Sequence, residues 1–525
     1  MYFFLPAWYR GDGSWNGRDR IWFSQGSRHG FDDTINQVRM FTQAQEAVTL
    51  LVPVFFPDLR YFCYQQNIYE VPRLSVFDFL QVIPADLAMH PLDYHDLAWP
   101  TGATFVYGIF SILVYVEDQL YARLFHGPEG HLLILEIMVD GRVKRRLEFD
   151  DRGFVSRVSH FTATEQLAKQ EYLDQHGNPQ FIVQADGSVD IVTGAHVQAE
   201  QVHYANLTLL LEEEFRRFET NYLGPRDVVI AAADPFHDAF LHRAIPAANL
   251  AFSYFGDRVD LANTLEAIAA QRALLTIADS TATQHELQAI GVQALQLPPL
   301  DTRLSLGISN QVRLLKLFFL VDGLALAELR QAVRTIMQKM EKNPLIDLTF
   351  ASYHNQEQVP ELERLVHELA VEREFKDAYT FNQVEAQAAE NQLADDLAHA
   401  RTHQRQHDIH FVAIDSEPGL IQAIHDSRIL LDLALRPDVF LQIAGISAGI
   451  PEILRAESRY VEDGKNGRRV QNLTTDLATA LDYYLTSLKH WNTALVHAAN
   501  KIADYTSGRV VKQLATALAV ARERR

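Results

Sequence analysis

Cysteine is nearly absent from this chain of 525 residues. Cys63 stands alone, which excludes an internal disulfide framework and any cysteine-rich metal site and leaves a buried core thiol. Basic residues are also in short supply. Lys and Arg total 47 against 67 Asp and Glu, a net charge of −20, so the chain lacks the cationic surface of a general nucleic-acid binder. Long apolar runs are missing too. Residues 103–116 form the most apolar run, shorter than the roughly 20 residues of a membrane helix, and Glu117 ends it. The opening "MYFFLPAWYRGDGSW" has no basic segment before its apolar part, unlike a secretory signal peptide. These absences predict a cytoplasmic protein that can touch a membrane without crossing it.

What is present is apolar and aromatic: 48% hydrophobic residues, with 30 Phe and 19 Tyr, enough for large cores in more than one domain. In the first hundred residues "YFFLPAWY" reads as a buried strand, residues 32–45 as a helix and "VTLLVPVFF" as a second buried strand. Apolar strands alternating with helices predict a parallel sheet covered on both faces. Between residues 103 and 202 the pattern changes. Turn signals recur at Gly130, Asp140-Gly141, Arg152-Gly153, His176-Gly177 and Asp186-Gly187, with strand-like runs such as "LLILEIMV" and "PQFIVQ" between them. This pattern predicts an antiparallel meander, a β domain inserted into the first α/β domain.

The α/β pattern resumes with a helix over residues 207–220 and the strands "VVIAAA", "ANLAFSYF" and "ALLTIAD". Paired prolines in "LPPL" mark a boundary near residue 300. A second set follows with "RLLKLFFLV", "IDLTFASYH", "DIHFVAID" and "RILLDLA", and residues 474–525 form a helical tail. The expected divisions are 1–102 with 203–300 as one Rossmann-like domain, 103–202 as the insert, 302–488 as a second Rossmann-like domain, and 489–525 as a helical segment packing back on the first. Two such domains describe a GT-B glycosyltransferase architecture.

In that architecture a nucleotide sugar sits at the C-terminal ends of the second domain's strands. A retaining enzyme adds an Arg and a Lys for the pyrophosphate, a Glu near the sugar, and a ribose-binding Glu opening a motif that ends Gly-x-Pro. Here Gly449-Ile450-Pro451 matches Gly-x-Pro. The ribose Glu then falls at Ala444 and the sugar-side Glu at Arg436, and residues 317–329 hold no Arg or Lys. An Asn-Gly pair typical of the region survives as Asn466-Gly467. The backbone features persist and the charges that transfer chemistry needs do not.

Three further patterns compete with blander readings. "GISAG" fits Gly-x-Ser-x-Gly, with Ser447 as a nucleophile and Asp476 and His490 or His497 as partners, but "VFLQIA" before it reads as a helix where a strand is required. His399, His403 and His407 are spaced to line one helix face, yet their surroundings are polar on nearly every side, as in a solvated helix. The loop "WYRGDGSWNGRDRIW" mixes Trp8, Trp15 and Trp22 with Arg10, Arg18 and Arg20. That mixture suits sugars, anionic lipid headgroups or a protein partner, and equally a loop packed on its own domain.

"MYFFLPAWY", "LLDLALRPDVFLQIAGISAGIPEI", "YVEDGKNGRRV" and "ALDYYLTSLKHWN" together resemble the accessory Sec system protein family, in particular its first accessory secretory proteins. The resemblance implies a cytosolic, GT-B-like, non-catalytic subunit needing no cofactor or metal. It implies two sister proteins as partners, one esterase-like and one resembling a carbohydrate-binding module, together with an accessory SecA motor. It further implies a role in exporting glycosylated serine-rich-repeat adhesins, and association with acidic phospholipids at the inner face of the membrane. The competing expectation is an active glycosyltransferase modifying the same adhesins.

Overall fold

The computed structural model describes residues 1–18, 21, 32–90, 92–256, 258–261, 263–264, 268, 273–302, 305–353, 359–372, 379–383 and 406–524. The chain divides into two compact units, Met1–Ser27, Gln45–Thr276 and Val520–Arg525 in one and Arg28–Ala44 and Ile277–Ala519 in the other.

In the first unit the strand Tyr2–Leu5 pairs in parallel with Val228–Ala232 on one side and Val48–Val52 on the other. Leu250–Tyr254 and Arg73–Ser75 extend the sheet outward. Phe3, Phe4, Leu5, Leu50, Leu51, Val229 and Ile230 are all buried, as the unbroken apolar runs require of a doubly covered parallel sheet. The strand "YFFL" stops at Leu5, ahead of Pro6, which has no N–H to give a ladder.

Between Arg73–Ser75 and Val228–Ala232 the chain builds a ten-stranded sheet, from Thr104–Tyr107 at one edge to His203–Tyr204 at the other, in strict chain order. Every neighbouring pair is antiparallel. The expected insert is therefore present, and the turn chemistry explains it. Asp140 (φ 51°) and Gly141 (φ 73°) form a two-residue loop between Leu132–Val139 and Arg142–Asp150, the left-handed pair whose twist suits a hairpin.

Buried charge secures this sheet to the rest of the unit. Arg157 is 2% exposed and grips Glu148 with two bonds, Nε to Oε2 at 2.5 Å and Nη2 to Oε1 at 2.6 Å. Its remaining nitrogen donates to Asn16 Oδ1 at 2.6 Å and to the Tyr172 hydroxyl at 3.0 Å, and its plane lies 4.1 Å from the Phe55 ring centre. Arg152 bridges Asp150 and Asp78 in the same manner, and Arg60 meets Asp151 at 3.1 Å.

The second unit holds a wholly parallel sheet ordered Tyr379–Gln383, His407–Ala413, Ile346–Ser352, Leu315–Leu320, Ser427–Asp432, Glu452–Leu454, Gly467–Arg469. The helix Leu326–Met340 buries Leu329, Val333, Ile336 and Met337 in the core with Leu317, Phe319, Leu348 and Phe350. The tail is helical as expected, but in three pieces, Thr475–Leu485, Leu488–Ile502 and Ser507–Glu523. Trp491 anchors the middle piece. It is buried, and its indole N–H donates to the Arg428 carbonyl at 2.8 Å. Among the described residues no helix is long and apolar enough to cross a membrane.

Candidate functional site

The C-terminal edge of the second unit's sheet is where a nucleotide would bind in a fold of this kind, and carboxylates occupy it. The strand Ser427–Asp432 ends in Asp432, which is buried and accepts the Ala434 N–H at 3.2 Å and the Asp438 N–H at 2.6 Å. Asp438 in turn caps the helix Val439–Ala448 by accepting the Leu441 N–H at 2.7 Å, and it accepts the Tyr353 hydroxyl at 2.9 Å. Asp322, just past Leu315–Leu320, accepts the Ser352 hydroxyl at 2.6 Å and the Tyr353 N–H at 2.7 Å. Burial, reinforced by Asp438 and Asp322, raises the Asp432 carboxyl to about 7. Burial and Asp438 push the Tyr353 phenol far above its ordinary value.

The N-terminus of the helix Leu326–Met340 is likewise occupied by a carboxylate. At the N-terminus of Leu326–Met340 the Glu328 carboxylate accepts the Ala325 N–H at 3.4 Å, the place an anionic ligand would take. The nearby cation Arg455 is spent on the same carboxylate, at 2.7 Å, and that bond holds Glu328 below the usual carboxylate range.

The residues singled out from sequence act structurally here. Arg436 donates to the Thr283 hydroxyl at 2.9 Å and lies 3.5 Å from the Glu286 carboxylate. Ala444 is 7% exposed within the helix Val439–Ala448, and its methyl side chain accepts no hydrogen bond. Gly449 (φ 70°) ends that helix in the left-handed conformation, its N–H returning to Gly445 and Ile446, and Pro451 follows as a stop. Asn466 is buried and closes the loop before the last strand. Its Oδ1 accepts the Glu462 N–H at 2.9 Å and its Nδ2 donates to the Tyr460 carbonyl at 3.0 Å.

Gly467 is needed for space. A Cβ there would lie 2.4 Å from the Glu452 carbonyl oxygen and 2.3 Å from Val461 Cγ1. Gly467→Ala should destabilise the second unit by about 1–3 kcal/mol, because backbone must move to relieve the overlap. Urea unfolding checks this, and an unchanged midpoint would contradict it.

Glu452 is the companion oddity: buried, with neither carboxyl oxygen hydrogen-bonded. Burial, then Asp432 and Asp438, push it well above the ordinary range. Both acids therefore hold their protons more tightly folded than unfolded. Their contribution to stability is complete below the ordinary carboxylate pKa and declines as pH rises above it, for Asp432 through about 7, at up to about 1.4 kcal/mol per pH unit for each group. Thermal unfolding should show stability falling between pH 5 and 8. Glu452→Gln should flatten that slope, and an equal slope in the variant would refute the assignment.

The esterase and metal candidates resolve differently. Gly445–Ser447 lie inside the helix Val439–Ala448, with Gly449 as its cap, so "GISAG" has no strand before it and Ser447 is no nucleophile elbow. His399 and His403 lie outside the described residues. His407 opens the strand His407–Ala413 and is buried, its Nδ1 2.6 Å from the Ile346 carbonyl, so the three do not share a helix face.

In the N-terminal loop Trp8 is fully buried and sits edge-on to Phe62. Trp15 is 7% exposed and donates its indole N–H to the Thr208 hydroxyl at 3.0 Å. Neither can reach a lipid or partner, which corrects that expectation for both rings. Arg10 and Arg18 are exposed, Arg18 with its Nε on the Tyr9 carbonyl at 2.6 Å, while Arg20 and Trp22 lie outside the described residues. Sequence reasoning missed Asp322, Asp432, Asp438 and Tyr353. The available signal was an aspartate closing each apolar run in "FFLVD" and "ILLD".

Comparison with known proteins matches residues 1–521 to the accessory Sec system protein family of accessory secretory protein 1. The chain is 31% identical to the Streptococcus gordonii member, with 98% of each chain covered. It is similar to accessory secretory protein 1 solved with proteins 2 and 3 from Streptococcus pneumoniae (27% identity, all of each chain, TM-score 0.77). A chain of the Glycosylation Associate Protein (Gap123) complex from Streptococcus agalactiae is alike at 29% identity, TM-score 0.76, covering 98% of this chain and 100% of that one. The pneumococcal O-GlcNAc transferase GtfA, solved with UDP and GlcNAc, aligns over 99% of each chain at 11% identity and TM-score 0.65, a likeness of fold alone. The fold is accordingly GT-B-like α/β with an antiparallel insert, and the chain belongs to the accessory Sec system family of accessory secretory protein 1.

Proposed function

We propose that this protein is a non-catalytic, cytoplasmic subunit of the accessory Sec system that assembles with two sister accessory secretory proteins. The reading extends to the accessory SecA motor as a further partner and to a glycosylated serine-rich-repeat adhesin as cargo. The observation that carries it is the donor edge: Asp322, Asp432 and Asp438 are consumed in capping and tyrosine bonds, and Glu328 fills the helix N-terminus. A pyrophosphate entering there meets negative charge, and Arg455 is already paired with Glu328. Among the described residues of the N-terminal loop, exposed Arg10 and Arg18 are the ones that would meet acidic phospholipid at the inner membrane face, and buried Trp8 and Trp15 are not. The division into residues 1–102 with 203–300, 103–202, 302–488 and 489–525 is our reading of the domains that carry these roles.

The assembly of relatives supports the partner choice, since the similar pneumococcal and S. agalactiae chains were solved together with other accessory or Gap proteins. Co-expression with the two sister proteins of its own organism tests it. A single complex should elute in size-exclusion chromatography, and deletion of this chain should block adhesin export while leaving sugar transfer to the adhesin intact. Separate elution of all three proteins would contradict the assembly, and loss of glycosylation in the deletion would favour the transferase.

A further inference from the structure

The second unit contains a cleft of about 490 Å³ between the loop that follows Glu452–Leu454 and the helices Leu488–Ile502 and Ser507–Glu523. Arg459, Glu462, Lys501, Asp504, Tyr505 and Gln513 line it. Small-molecule sites are of this size, roughly 300–1,000 Å³. The chain is locally basic here, against its overall character. Residues 455–469 hold five Lys or Arg against three Asp or Glu, and residues 501–513 hold three against one. The whole chain has 47 against 67.

The acids of the cleft are already neutralised. Glu462 accepts from Lys465 at 2.6 Å and from Lys501 at 2.7 Å, and those two bonds hold its carboxyl down to about 2. Asp504 meets Arg509 at 2.7 Å. Arg459 differs from the other cations. Its Nη1 donates to the Gln296 carbonyl at 3.2 Å, and no carboxylate among the described residues pairs with it. Its charge lies close enough to the Tyr505 phenol to oppose the rise that burial causes there. The Tyr505 hydroxyl and Lys501 Nζ both donate to the Arg459 carbonyl, at 3.2 and 2.8 Å, which fixes the loop against the helices. Gln513 adds a half-buried amide that bonds to no other described residue.

A guanidinium without a carboxylate suits an oxyanion, which it can hold with two parallel bonds. Four cations against two carboxylates leave an excess of two positive charges. A phosphate monoester matches that excess, with a charge of about −1.5 to −2 at pH 7. A phosphorylated side chain would fill only part of the cleft, whereas a small organic phosphate can be enclosed whole, its polar body within reach of the Gln513 amide.

We propose that this cleft binds a small organic phosphate monoester, with Arg459 holding the phosphate and Gln513 the organic part. The inference goes beyond the subunit reading and does not depend on it, and none of Asp322, Asp432, Asp438 or Glu328 lines the cleft. Titration calorimetry of the full chain at low ionic strength tests it, with glucose 6-phosphate, inorganic phosphate and glucose as probes. Glucose 6-phosphate should bind once per chain, inorganic phosphate more weakly, and glucose not at all. Arg459→Gln should lower the affinity for glucose 6-phosphate by roughly 10-fold or more and keep the wild-type urea midpoint. Gln513→Leu should weaken glucose 6-phosphate and leave inorganic phosphate unchanged. Arg469→Gln, at an exposed basic residue of the same loop that does not line the cleft, should bind as wild type does. Absence of binding by either phosphate overturns the proposal, as does full affinity in Arg459→Gln. An equal loss in Arg469→Gln would show diffuse charge attraction in place of a site. Tighter binding of a phosphoserine peptide than of glucose 6-phosphate would make the occupant a phosphorylated protein. Either of these results also overturns it.

Discussion

Arg157→Ala should destabilise the first unit by about 3–5 kcal/mol, because it strands a buried carboxylate. Glu148 is 3% exposed, and burial by itself would raise its pKa. The Arg157 charge and the two bonds from its guanidinium outweigh that burial and hold the carboxyl below its ordinary range. Removing the guanidinium reverses the balance. Glu148 must then take up a proton or draw in water, and Asn16 Oδ1 and the Tyr172 hydroxyl lose a donor as well. Arg157→Met with Glu148→Leu should recover much of the loss, since a buried ion pair replaced as a unit by apolar groups is often neutral in stability. Urea denaturation of the single and double variants measures this. A single variant as stable as wild type would show the pair to be hydrated and unimportant.

Much of this architecture was legible because its local chemistry is strong. The inserted sheet announced itself through Asp140-Gly141 and the other glycine turns. The second-unit strands did so through apolar runs too short for helices. The hairpin turn at Glu117-Asp118, with φ of 50° and 61°, carried no such sign, because neither residue is glycine. Helical periodicity marked the tail but not its division. The breaks after Leu485 and Ile502 fall in ordinary polar residues, and packing about Trp491 fixes the middle piece. The tryptophans show the limit most plainly. Trp8 and Trp15 stand beside arginines in sequence, and only the fold turns both rings inward. At the donor edge the missing glutamates could be counted from Arg436 and Ala444. Asp322, Asp432 and Asp438 became visible as one group only once three strands were brought together.

Transfer from a nucleotide sugar should be lost to a still larger degree. One preorganised charge partner is worth about 10²–10³ in turnover, and two carboxylates together with the pyrophosphate cations would amount to about 10⁴-fold or more. Ala444 cannot accept a ribose hydroxyl, and the Arg436 guanidinium is engaged by Thr283 and Glu286. Glu328 meanwhile repels phosphate from the helix where it would dock. The measurement is UDP release from UDP-GlcNAc by the purified protein, alone and assembled with its sister proteins, with the adhesin's serine-rich segment as acceptor. No release above buffer should be seen in either state. UDP release that scales with protein concentration and disappears in Tyr353→Phe or Glu328→Ala would show a working donor site and make this chain a transferase.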